Sequence, residues 1–400
     1  MQSRLRKLAV GTASLLAMST VLAPAAFALR QGAIFNNPKG SYASQYRLQL
    51  HVERSIRATP KGGTILVATF LLDRKQSADA LIAARNRGVD VRVVLDGAID
   101  TVHSRRLQRV LNRDNGRKGQ QWGPDNSFVV QCRGACRGGG HNKNMHSKFY
   151  AFSRTRGSND VVMVSSANLN RGGATLGWND LFTMTGVNSM YKTYKRVHDE
   201  MARDRKVVPT YIVKRQGRFE SQFFPKKTGG RAGDPTYQAL QRVRCRGAQG
   251  AAGTGGRTKI NISMFYWGKE RGNYIASKLL ALDRAGCIVS VIYGAPTNQL
   301  ASRLRASAHR GGINLYDSRY DRNGNGEVDL RVHTKYMLIG GKYAGDPSSW
   351  QVFTGSPNWV DGSLRGGDEV TLQVSGRPAH ARYMKNWNYV RTHGARKIGR

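Results

Sequence analysis

The alternation of apolar and polar positions along this chain follows one succession of patterns, and that succession occurs twice. Residues 64–72 (TILVATFLL) form a continuous apolar run, the mark of a strand buried on both faces. An amphipathic segment predicts a helix over 77–88 (SADALIAARNRG), and 89–98 (VDVRVVLDGA) predicts a second strand. The same order returns downstream. Residues 258–267 (TKINISMFYW) read as a strand, 273–286 (NYIASKLLALDRAG) as a helix and 287–295 (CIVSVIYGA) as a strand. Gly88 and Gly286 stand where a helix C-terminus favours a left-handed residue. Strand–helix–strand with buried strands implies a parallel pair, hence an α/β fold.

The flanks repeat as well. Phe35-Asn36-Asn37-Pro38 resembles Phe223-Phe224-Pro225, each ahead of a predicted helix, near 43–57 and 235–244. Residues 146–152 (HSKFYAF) match 333–339 (HTKYMLI), and 161–170 (VVMVSSANLN) match 351–360 (QVFTGSPNWV). Each half therefore offers a strand carrying His-x-Lys, then a strand ending in Ser-x-Asn. One His-x-Lys triplet arises readily by chance. Two, each ahead of a matching Ser-x-Asn in a repeated frame, point to an internal duplication. The boundary falls near 205–234, a basic, loop-like stretch, leaving lobes at 29–204 and 235–400.

The first 28 residues stand outside this frame. Arg4, Arg6 and Lys7 precede a charge-free apolar run from Leu8 to Leu22, and Ala26-Phe27-Ala28 supplies a small-residue cleavage pattern. This is the form of a secretory signal peptide cleaved near Ala28, so a secreted, extracellular protein is expected. A membrane anchor is the other reading, and Pro24 argues against it.

Export changes the meaning of the four cysteines, which allow three connectivities. Pairing within each half gives Cys132–Cys136 and Cys245–Cys287. The competing reading is zinc on Cys132, Cys136, His141 and His146.

Length and charge add two limits. At 400 residues the chain has room for two to three domains, and 40% apolar residues exclude a wholly disordered chain. A net charge of +39 draws it to polyanions: nucleic acid, anionic lipid or cell wall. Residues 101–143 alone carry nine Lys/Arg against two Asp. A merely solubilising basic surface is the alternative.

The chemistry follows from the repeated motifs. Alternation along a strand places His146 with Lys148, and His333 with Lys335, on one face. Two imidazoles, two ammoniums, two amides and two hydroxyls, with no carboxylate pair, suit a phosphate ester. Lys and Asn can hold non-bridging oxygens, one histidine can attack phosphorus and the other can protonate the leaving oxygen. No metal or cofactor is required.

These residues resemble the paired signature of the phospholipase D superfamily, His-x-Lys followed by Gly/Ser-Ser-x-Asn. The resemblance covers nearly the whole mature chain. It implies two pseudo-symmetric α/β lobes with one active site between them and a covalent phosphohistidine resolved by water or an alcohol. By motif it makes His146 the nucleophile and His333 the general acid. Lys148, Lys335, Asn168 and Asn358 would bind phosphate, with Ser166 and Ser356 in support. The family's usual Asp, five residues past the Lys, is replaced by Ser153 and Gly340, and that Asp is normally structural. The His-to-Asn spacings of 22 and 25 exceed the usual pattern, attributed here to inserted loops at 154–160 and 340–349. An acid often stands eleven residues past the Asn. Glu369 does so in the second half and is expected to orient a histidine. Asn179 holds the place in the first half, with Asp180 next to it as a weaker candidate. The other histidines, at 51, 103, 141, 198, 309, 380 and 393, are expected to pack or to face solvent.

Residues 321–329 (DRNGNGEVD) open like an EF-hand calcium loop, but the twelfth position is Val332 rather than Glu. A structural calcium at Asp321–Asp329 and an Asn-Gly turn are both consistent with these letters.

Three functions compete. The leading expectation is a secreted, monomeric phospholipase D-type hydrolase working at phospholipid or anionic membrane surfaces. Trp178, Trp267, Trp350 and Trp359, each near a motif strand, favour a substrate with a bulky apolar body, although each taken alone reads as core. The alternatives are a nuclease of the same superfamily acting on nucleic acid and a non-catalytic polyanion-binding protein, which would need broken motifs.

Overall fold

The computed structural model describes residues 28–113, 127–140 and 143–399. Almost all of the signal-peptide segment, His141 and part of the basic run at 101–143 lie outside the described residues.

Two mixed sheets carry the repeat. In the first, the strand order is Gly32–Phe35, Asp180–Met184, Ser158–Ser165, Phe149–Thr155, Thr64–Thr69, Asp90–Asp96, Phe128–Cys132. The second contains the matching series Phe219–Phe223, Val370–Ser375, Asp346–Gly355, Lys335–Tyr343, Lys259–Trp267, Ile288–Pro296, Asn314–Asp317. Ile212–Gln216 extends it at one edge and Arg396–Ile398 at the other. Thr64–Thr69 pairs parallel with Asp90–Asp96, and Lys259–Trp267 with Ile288–Pro296, as the apolar runs predict. Gly88 and Gly286, at φ +81° and +94°, end the intervening helices in the left-handed region.

Four expectations change. The stretch at 205–234 is not only loop. It holds a hairpin, and Phe219–Phe223 is the counterpart of Gly32–Phe35, so the second repeat begins inside the presumed connection. The segments at 154–160 and 340–349 are not inserted loops either. They are hairpin extensions turning at Arg156-Gly157 and Ala344-Gly345, all four at positive φ, the two-residue turn that suits strand twist. The helix expected from 273 begins four residues earlier, as Lys269–Arg284. Its charged first turn hides the apolar period because Arg271 points inward, where its Nε donates to the buried Asp234 at 2.8 Å. Finally, His-x-Lys sits mostly ahead of its strand, since Phe149–Thr155 starts after Lys148 and only Lys335 opens a strand.

The inner faces of both sheets and the helices Asn188–Ala202 and Arg377–His393 share one apolar core. Two further cores cover the outer faces. The halves are joined by more than packing. Asp180, wholly buried, accepts from Tyr383 Oη at 2.8 Å and from the Thr354 hydroxyl. Both disulfides form as paired within the halves, Cys132–Cys136 and Cys245–Cys287. The second closes a 42-residue span, which in a chain-entropy account is worth about 4 kcal/mol. Bonded sulfurs leave no thiolates for zinc, so that reading is withdrawn.

Candidate active site

Each histidine is held by the opposite repeat. His146 N donates to Asp368 O at 2.9 Å, and His333 N to Trp178 O at 2.8 Å. The next residue along in each case meets the ring. His146 Nδ1 donates to Glu369, 3.0 Å from both carboxylate oxygens. His333 Nδ1 donates to Asn179 Oδ1 at 2.9 Å. Glu369 thus reaches a histidine as expected. Asp180 does not: strand alternation turns it away from the site and into the inter-lobe core.

The lysines complete the pairing. Lys148 Nζ folds back to donate to His146 O at 2.6 Å, and Lys335 Nζ does the same to His333 O. Both are buried. Burial pulls Lys148 down to about 7, against the opposing charges of Glu369 and Asp96. Burial also holds Lys335 well below its ordinary value, with Lys148 adding repulsion. Each imidazole is lowered by burial and by the other half's lysine, Lys335 acting on His146 and Lys148 on His333. The histidines and lysines of the two halves therefore act on one another. Glu369 keeps its charge despite burial, because His146 and Lys148 face it and hold its carboxyl below the usual range. A buried cluster that penalises its own cations is matched to an anion, since a bound phosphate restores their charge.

The amides and hydroxyls sit behind the rings. Thr69 Oγ1 donates to Asn168 Oδ1 at 3.3 Å, and Gln49 Nε2 to Asn168 O at 3.1 Å. Arg271 Nη1 holds Asn358 O at 3.0 Å, while Asn358 Oδ1 has no hydrogen-bond partner among the described residues. Ser166 Oγ donates to Asn179 Oδ1 at 2.9 Å, and Ser356 Oγ accepts from Val370 N at 3.0 Å. The serines thus brace the strands that carry the ring partners.

Several contributors escaped the sequence reading. Phe70, just past the strand Thr64–Thr69, and Phe265, within Lys259–Trp267, occupy equivalent places in the repeat. Their rings lie 5.2 Å from His146 and 4.7 Å from His333, and 5.5 Å and 5.0 Å from Lys148 and Lys335 Nζ. The shared Phe closing TILVATF and KINISMF was the available signal. Asp96 accepts Met145 N at 2.8 Å, fixing the chain just before His146. At the places of the missing family Asp, Ser153 Oγ accepts Thr64 N at 2.8 Å. Gly340 leaves no room for a side chain, since a Cβ there would stand 2.7 Å from Ala252 O.

A cleft of about 260 Å³ reaches the group at His333 and Asn168, with Phe265 and Arg331 also in its wall. Its apolar rim is not the expected tryptophans. Trp178, Trp267 and Trp359 are buried, and Trp350 packs against His380 with ring centroids 4.8 Å apart. Leu176 and Val328, both exposed, line the cleft instead. The loop Asp321–Asp329 reaches the same cleft through Asp329. Its carboxylates serve its own backbone: Asp321 accepts Gly324 N and Gly326 N at 2.7 Å, and Asp329 accepts Arg322 N at 2.7 Å. Among the described residues no three of its acidic groups converge.

Paired His-x-Lys and Ser-x-Asn motifs, drawn from two copies of an α/β unit with the histidines and lysines of both halves acting on one another, fit a class of phosphodiester-active enzymes. The chain belongs to the phospholipase D superfamily. The family described as "Cardiolipin synthase, PLD-like domain" matches residues 56–204 and 254–390, more than half of the sequence. No curated protein matches the chain in sequence. Among solved structures, it is similar to the phosphatidylserine synthase of Haemophilus influenzae, at 13% identity and a TM-score of 0.58, over 92% of this chain and 87% of that one. It is similar to the polyphosphate kinase of Porphyromonas gingivalis, at 13% identity and a TM-score of 0.56, over 90% of this chain but only 50% of the kinase. A yeast tyrosyl-DNA phosphodiesterase variant matches at 9% identity and a TM-score of 0.50, over 86% and 89% of the two chains. At these identities the likeness is one of fold.

Proposed function

We propose that this protein is an exported phospholipase D-type phosphodiesterase that hydrolyses phospholipid head groups through a phosphohistidine. The observation that carries the reading is the cross-held pair, His146 with Glu369 and His333 with Asn179, over a shared Lys/Asn anion site. With Nδ1–H given to Glu369, the His146 Nε2 lone pair is free to attack phosphorus. The bond to the leaving oxygen breaks, and His333 delivers its Nε2 proton to that oxygen. Water then gives a proton back to His333 Nε2, attacks phosphorus and releases His146. An alcohol in place of water gives head-group exchange. Lys148, Lys335, Asn168 and Asn358 hold the non-bridging oxygens, and Glu369 offsets the positive charge of the phosphorylated imidazole.

Lipid is favoured by the exposed Leu176 and Val328 at the cleft and by the carboxylates of the loop beside it, which would repel a polynucleotide. The basic surface would dock the enzyme on anionic membranes. Export is supported by the N-terminal pattern and both disulfides, and no helix among the described residues is long and apolar enough to cross a membrane.

The net charge favours a second reading, a nuclease using the same steps. Purified protein incubated with phosphatidylcholine or phosphatidylethanolamine vesicles, with and without a primary alcohol, should release soluble head group and form the transphosphatidylated lipid. Rapid plasmid cleavage without head-group release overturns the lipid reading and establishes the nuclease.

A further inference from the structure

The two histidines are held in the same way but by different chemistry, and the difference is built into the frame around position 179. Asn179 Nδ2 donates to Gly173 O at 2.7 Å and to Gly177 O at 3.2 Å. Its backbone N donates to Asn36 Oδ1 at 2.7 Å, and Asn36 Nδ2 in turn donates to Ala174 O and Gly177 O. With two carbonyls claiming the amide nitrogen, Oδ1 can only face the other way, towards Ser166 Oγ and His333 Nδ1, both at 2.9 Å. Ser166 Oγ already accepts Asp180 N, so its own proton goes to Asn179. Both lone pairs of Oδ1 are thereby used by donors. A carboxylate here would set one oxygen against the carbonyls of Gly173 and Gly177. The frame selects an amide, whereas the matching place in the second half holds the ionised Glu369.

We propose that Asn179 is a positioning residue that locks His333 in the Nδ1–H tautomer and, being uncharged, makes His333 the more readily deprotonated of the two histidines. This deepens the phosphodiesterase reading above and rests on it for the catalytic consequence. The lock puts the exchangeable proton of the His333 cation on Nε2, the atom facing the cleft. The neutral partner gives that cation no opposing charge, so the proton passes easily to the leaving oxygen. Lys335, Lys148, His146 and Arg331 all lower the proton affinity of His333, whereas Asp329, an acid, lines the same cleft. His146 has the opposite setting, with Glu369 against its ring. One site thus holds an imidazole suited to carrying phosphate and another suited to giving up a proton. Protons balance over the cycle, because the first step takes the His333 Nε2 proton to the leaving oxygen and the second returns one to it from water.

The test combines a direct readout with a kinetic one. Nitrogen-15 histidine NMR of the full-length enzyme, with the His333 signals assigned from the His333→Asn spectrum, reads tautomer and protonation midpoint without substrate. Because His333 loses its proton before His146 does, the pH profile of kcat/KM on phosphatidylcholine reads the same proton on its acid limb. Wild type should show neutral His333 as the Nδ1–H form. Asn179→Ala should mix the tautomers and lower kcat with KM nearly unchanged. Asn179→Asp should raise the His333 midpoint and the acid limb by about one pH unit or more, as an opposing charge does. Asn179→Ala adds no charge and keeps the test should Asn179→Asp not fold. A wild-type Nε2–H tautomer, or variants that move neither tautomer nor acid limb, overturns the proposal. The expected NMR changes without turnover of any diester would instead overturn the phosphodiesterase reading and leave the lock standing.

Discussion

Glu369 Oε1 lies 3.0 Å from His146 Nδ1, across the boundary between the repeats and 223 positions away in sequence. Neither half therefore contains a finished site. Each lends the other a backbone acceptor and a ring partner, from Asp368-Glu369 in one direction and from Trp178-Asn179 in the other.

Replacing either histidine tests the two-histidine mechanism. His146→Asn and His333→Asn should each lower kcat by about a hundredfold or more while the melting temperature stays near that of wild type. Acid-quenched wild-type enzyme should carry radiolabelled phosphate on His146. Retention of most activity by either variant argues against paired roles.

Glu369→Gln keeps the shape of the side chain and removes its charge. Because Glu369 raises the proton affinity of His146 above that of His333, the variant should shift the alkaline limb of kcat/KM to lower pH. It should also lose roughly a hundredfold or more in kcat, as expected when an imidazole loses its orienting carboxylate. The alkaline limb moves here and the acid limb in the Asn179→Asp variant, so the two ring partners separate in one set of profiles.

Chelation should leave the rate unchanged, since buried Lys and Asn supply the electrostatics. EDTA should also leave the melting temperature unchanged, given that the Asp321–Asp329 carboxylates accept their own loop's N–H groups. A fall in melting temperature alone would reveal a structural calcium there, and loss of rate restored by a metal would overturn the metal-free mechanism.

His198 is fully buried, its Nε2 donating to Val67 O, and burial lowers it to about 4. In the unfolded chain it titrates near 6.5. Between these values the unfolded state binds the extra proton, so the neutral ring stabilises the fold above about 6.5 and that contribution fades as pH falls towards 4. It amounts to roughly 3 kcal/mol at most. Urea unfolding of wild type and His198→Gln should show a stability gap that is largest at pH 7 and shrinks by pH 4.5. A gap independent of pH would mean that His198 does not titrate with folding.

The apolar runs, the glycines closing the helices and the twice-written His-x-Lys and Ser-x-Asn carry the α/β repeat and the identity of the eight motif residues in the sequence itself. These are local properties: period, turn chemistry and residue type need no distant partner to be read. Glu369 was legible too, because its distance from Asn358 follows the family pattern. The part played by Asn179 was not, since an amide at that place gains meaning only when Gly173, Gly177 and His333 converge on it. Asp180 was misplaced for the same reason. Its neighbours in sequence point to the site, but alternation along Asp180–Met184 buries it against Tyr383 and Thr354 of the other repeat. Likewise the tryptophans lie near the cleft in sequence and inside the core in space. Which face of a strand meets the second lobe depends on how two sheets pack over a shared core, and that is decided only when residues hundreds of positions apart are brought together.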